Sequence, residues 1–173
     1  MLLVRRLFLK FVPAVLLLSS WLVLMAQTSS DPQANIAARE QQVTRHLQEK
    51  QPQLAIPVLQ QIVSLNPGNV NAQANLGVLL HFQDKYVEAI PHLRAAVQLQ
   101  PDLWRIQALL GIAEKRTGNS TQALTHLEPA FSRLDQDKTG IQVGLELIEI
   151  YAAAAQFEKA LMQEHFNENY LES

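Results

Sequence analysis

Beyond about residue 35, apolar positions recur at intervals of three and four. Ala72, Leu76, Leu79 and Leu80 make one such stripe, and Tyr86, Ala89, Ile90, Leu93, Ala96, Val97 and Leu99 make the next. That spacing places side chains on one face of an α-helix, so the pattern predicts a series of amphipathic helices. Asn66-Pro67-Gly68 and Gln100-Pro101-Asp102 lie between the stripes and carry turn and helix-start signals. Residues 11–26 differ: they form an apolar run broken only by Pro13, Ser19 and Ser20.

The stripes repeat. A shift of 34 residues lays Leu76-Gly77 on Leu110-Gly111, Ala89 on Ala123, His92 on His126, Leu93 on Leu127 and Ala96 on Ala130. Upstream, the same shift pairs Ala55-Ile56-Pro57 with Ala89-Ile90-Pro91, Leu59 with Leu93, and Pro67 with Pro101. The period and its content resemble the tetratricopeptide repeat (TPR), a pair of antiparallel helices with Leu-Gly in the first, Ala in the second and a closing Pro. The best copy supplies Leu76, Gly77, Leu80, Tyr86, Ala89, Leu93, Ala96 and Pro101, and the next has Asp135 where the Pro would stand. Copies are expected at about 36–67, 68–101, 102–135 and 138–173, the last showing Leu147, Tyr151, Phe157 and Ala160. The resemblance implies an all-α, right-handed superhelix of about four helix pairs, behind an N-terminal apolar helix. Small residues at Gly77 and Ala89 suit a close crossing of helices. Pro57 and Pro91 fall early in second helices, where a bend rather than a break is expected.

The first 30 residues read as an address. Arg5, Arg6 and Lys10 precede the apolar run, and a polar stretch follows it, the order of an export signal. The run is short beside the ~20 residues of a spanning helix, and Leu24-Met25-Ala26 is a fair cleavage site. Removal of the leader and its retention as a membrane anchor both fit. Arg5-Arg6-Leu7-Phe8-Leu9-Lys10 resembles the twin-arginine export motif, although Val4 stands where Ser or Thr is usual. The general secretory route stays open beside it. The basic start implies passage of residues 31–173 across a bacterial inner membrane, to the periplasm or the thylakoid-lumen side.

Composition narrows the chemistry. The 173 residues carry a formal charge of −2, and those beyond 26 hold 11 basic and 16 acidic side chains. No polybasic footprint for nucleic acid appears. With no Cys, disulfides, thiolate metal sites and Cys nucleophiles are excluded. His92 and His126 occupy equivalent outward positions ~10 Å apart in successive repeats, too far to share an ion. His46 and His81 each lack an acidic or His partner at the helical i, i+4 spacing. Glu146 and Glu149 read as a solvated face, and Asn119-Ser120-Thr121 fits a glycosylation acceptor only incidentally. No catalytic constellation, cofactor site or metal site is expected.

What remains is a surface. In the family resembled, the first helices of successive repeats line a concave groove for an extended peptide or a partner's helix. Carried onto this chain, the groove takes Asn71, Ala74, Asn75, Val78, His81 and Phe82 from one copy. The next gives Arg105, Ala108, Ile112, Lys115 and Arg116, and the last Gln142, Leu145, Glu149 and Ala152. Its middle reads as basic, suiting a partner with an acidic stretch. Family members that grip a C-terminal carboxylate use Lys, Asn and Arg. Here the sites hold Glu40, Thr44, Asn75, Arg105 and Leu109, so only Asn75 and Arg105 fit. The expectation is a non-catalytic adaptor that helps assemble an envelope or thylakoid complex. The alternative is a structural subunit that self-associates through Phe157, Leu161, Phe166, Tyr170 and Leu171.

Overall fold

The structure, a computed structural model, describes residues 32–134 and 138–171. The export leader, and the side chains of Leu161, Phe166, Tyr170 and Leu171, lie outside the described residues. Among the described residues every regular element is an α-helix. The chain divides into two compact units, Met1–Leu65 and Asn66–Ser173.

In the first unit, α1 (Pro32–Gln48) and α2 (Pro52–Leu65) form a hairpin around Val43, Ala55, Val58, Leu59 and Ile62. Lys50 turns the corner at φ 56°, and Gln51 N donates to His46 O at 2.8 Å, closing the end of α1. Arg39 Nε donates to Gln61 Oε1 at 2.9 Å and ties the two helices on their exposed side.

The second unit contains α3 (Val70–His81), α4 (Tyr86–Leu99), α5 (Trp104–Arg116), α6 (Ser120–Leu134) and α7 (Lys138–Leu171). Asn69 caps α3, its side chain accepting from Ala72 N at 2.9 Å. The α3–α4 turn passes through Asp84 at φ 58°, and the α5–α6 turn through Gly118 at φ 86°, where glycine carries no steric cost. Within each of these hairpins the two helices pack closely at a glycine of the first. A Cβ built on Gly77 would lie 2.7 Å from Leu93 Cγ, and one on Gly111 2.6 Å from Leu127 Cγ. Leu93, Leu127, Ala89 and Ala123 are fully buried at these crossings. The Leu-Gly and Ala of these two repeats are therefore a lock of bulk against absence of bulk.

Two buried amides mark the same period. Gln73 Nε2 donates to Pro67 O at 3.0 Å and Gln107 Nε2 to Pro101 O at 2.6 Å, so each first helix is tied to the turn that precedes it. Pro57, Pro91 and Pro129 lie inside helices that continue past them. The expected fourth pair is present as one continuous helix, α7. Residues 152–155 are all Ala, the best helix former, where a turn would need Gly, Asn or Pro.

Candidate peptide-binding groove

In the second unit, α3 packs beside α5 and α5 beside α7, so successive first helices lie side by side. Of the residues assigned to this face, Asn71, Asn75 and Phe82 on α3 and its C-cap are exposed. So are Arg105 and Arg116 on α5, and Gln142, Leu145, Glu149 and Ala152 on α7. Phe82 keeps 74% of its surface in solvent and Leu145 58%, a large outlay of apolar area for positions with no packing duty. Ala74, Val78 and Lys115 are half-buried.

Three assignments are corrected. Ala108 and Ile112 are buried, joining Ala123, Leu127, Val143, Leu147 and Ile150 in one apolar cluster. They line no groove, because α6 and α7 close over them. His81 is also buried, its ring edge-on to Phe82 and Tyr86 at centroid distances of 5.6 and 5.2 Å. Both its nitrogens lack a hydrogen-bond partner among the described residues. Burial holds its pKa below the ordinary imidazole value.

The basic middle is corrected as well. Lys115 donates to Glu146 at 2.5 Å and also to Glu149, while Arg116 Nη2 donates to Glu146 Oε1 at 2.9 Å. Two cations meet two carboxylates across α5 and α7, and the cluster is internally neutral. Glu146 is not solvated: its side chain is 7% exposed. Burial pulls the Lys115 ammonium down, but its bonds to the two carboxylates carry its pKa above the usual lysine value. The same bond to Lys115 lowers that of Glu149. Nearby, Tyr86 Oη donates to Asp84 Oδ1 at 2.5 Å, and that bond raises the phenol's pKa.

Nor are the two equivalent histidines simply outward. His92 Nδ1 meets Gln73 Oε1 at 2.9 Å, and His126 Nε2 lies 3.7 Å from Glu114 Oε2. Burial lowers the pKa of both. Glu114 is fully buried and receives Arg94 Nη2 at 2.7 Å, a pair that sequence reading missed. The available signal was the 34-residue register, which sets Glu114 against Leu80 and so places a carboxylate at a core position. Among the described residues no group of three His, Asp or Glu side chains could hold a metal ion, and no helix is long and apolar enough to cross a membrane.

No protein-family model matches the chain, and no curated protein matches it by sequence. Solved structures do. A variant of MamA is 26% identical over 60% of this chain and 74% of its own, with a TM-score of 0.52. YrrB, described as a TPR protein with an unusual peptide-binding site, is 24% identical over 59% of this chain, with a TM-score of 0.50. The chain spans about half, 53%, of YrrB's length. The second TPR domain of human RPAP3, solved with an HSP70 peptide, is 18% identical over 70% of this chain and 98% of its own, with a TM-score of 0.58. The fold is thus the all-α fold of the TPR solenoids.

Proposed function

We infer that this chain is a non-catalytic protein-binding adaptor that holds an extended segment of a partner along α3, α5 and α7. The observation that carries this is the exposure of Asn71, Asn75, Phe82 and Gln142 on first helices that lie side by side. Paired amides offer both a donor and an acceptor to a peptide backbone, and Phe82 offers apolar contact. Because Lys115 and Arg116 are already matched by Glu146 and Glu149, an acidic stretch gains little there. The partner segment is accordingly uncharged or apolar. The peptide-bound RPAP3 domain and the peptide-binding site named for YrrB support peptide recognition on this fold. The basic and apolar leader supports an exported or membrane-tethered position, with a role in assembling an envelope or thylakoid complex. Affinity capture from native membranes with a C-terminally tagged chain tests the reading. A variant carrying Asn71→Ala, Asn75→Ala and Phe82→Ala should lose the partners recovered by the parent; equal recovery by both rejects the groove.

A further inference from the structure

The first part of α7 is apolar on two opposite faces. Val143, Leu147 and Ile150 pack inward, 0%, 7% and 6% exposed. Ile141, Leu145 and Ile148 repeat the same i, i+4, i+7 spacing and are 62%, 58% and 64% exposed. The two triplets are offset by two residues, which on a helix is a rotation of ~200°, so they face opposite ways. A solvated helix face carries polar residues, so this stripe calls for a cover.

The internal repeat says what kind of cover. Residues of α7 align with those of α5 at a shift of 33: Val143 with Leu110, Glu146 with Ala113 and Leu147 with Glu114, all buried. In that register Ile141 and Leu145 correspond to Ala108 and Ile112, and Ile148 to Lys115. On α5, Ala108 and Ile112 are covered, and α7 contributes to that cover with Val143, Leu147 and Ile150. The exposed stripe therefore continues an interface that already exists one step earlier in the same unit. A face that accepted one amphipathic helix is presented again, and among the described residues nothing sits on it.

We propose that the Ile141–Leu145–Ile148 face of α7 is a second docking surface, separate from the groove, for an amphipathic helix of a partner protein. That helix presents aliphatic side chains at i, i+4 and i+7, as α7 itself does toward α5. Head-to-tail stacking of a second copy through α1 is disfavoured, since the hollow on α1 is lined by Ala37, Glu40, Gln41, Thr44, Arg45 and Gln48, which carry no aliphatic stripe.

The helix known to fit such a face supplies the probe: a fluorescent peptide of residues 138–158, titrated into the full chain and followed by anisotropy. Binding that weakens about tenfold or more in the Leu145→Glu, Ile148→Glu chain supports the proposal. A peptide with Leu147→Glu should bind comparably weakly, because its own apolar face is then broken. Both chain substitutions are at exposed positions, and an unchanged circular dichroism melt confirms that the fold persists. The Asn71→Ala, Asn75→Ala, Phe82→Ala chain should bind the peptide like the parent, which keeps this surface distinct from the groove. Absence of binding to the parent, or binding indifferent to Leu145 and Ile148, overturns the proposal. So does sedimentation showing that the chain alone is a dimer dissolved by Leu145→Glu, since the occupant is then a second copy.

Discussion

The α3–α4 and α5–α6 hairpins cross in the same way, with Gly77 under Leu93 in one and Gly111 under Leu127 in the other. Their interiors then part company. Leu80 becomes Glu114 and His81 becomes Lys115. The earlier hairpin thus buries an aliphatic chain and an imidazole ring, whereas the later one buries a carboxylate held by Arg94 and half-buries an ammonium held by Glu146 and Glu149. The close crossing of backbones is what the repeat requires; the polarity beside it is free to vary provided each charge finds a partner.

The comparison can be broken most severely by transplanting the charge without its partner. Leu80→Glu should cost ~4 kcal/mol or more, read as loss of cooperative unfolding in urea, because Leu80 is 2% exposed and the substitution buries a carboxylate without adding a cation. The converse removal is next. Arg94→Ala leaves Glu114 buried without its cation and should cost about 3 kcal/mol, while Glu114→Leu, which copies Leu80, should be neutral or stabilising in the same melts. If Glu114→Leu is as damaging as Arg94→Ala, the pair is required by the fold and the interiors are not interchangeable. Gly77→Ala and Gly111→Ala should each cost about 1–3 kcal/mol, the clash with leucine outweighing alanine's better helix propensity. Unequal costs at the two sites would show that the crossings are not equivalent.

The smallest expected effect is pH dependence. His81, His92 and His126 all have pKa values held below the ordinary 6.5 by burial, so the fold takes up protons later than the unfolded chain does. Stability is then fully present above pH 6.5 and falls as pH drops through the lower values of the folded state. Thermal melts between pH 7.5 and 5 should show this, and His81→Leu should flatten part of the fall, since His81 is buried with neither nitrogen satisfied. A midpoint that rises on acidification contradicts the assignment.

Much of this architecture was legible in the residues. The 34-residue register, Leu-Gly in the first helix and Ala in the second announced hairpins before any coordinates, because a close crossing admits only small residues on one side and demands a large one opposite. The candidate groove was less legible. Family position alone put Ala108 and Ile112 on an open face, and only the placement of α6 and α7 revealed that they are covered. The same blind spot made Lys115 and Arg116 look available, because Glu146 and Glu149 lie 30 or more residues away in sequence and reach them only through packing of α7 on α5.

By itself, then, the sequence determined the local elements: the helical period, the turns at Pro67 and Pro101, and the small–large pairs at the Gly77 and Gly111 crossings. These depend on neighbours within a few turns or on a strict repeat, and both are written in order along the chain. Tertiary structure decided which faces stay open and which charges remain to meet a partner. Exposure and ion pairing belong to whichever element lies opposite, and a one-dimensional pattern does not say which element that is.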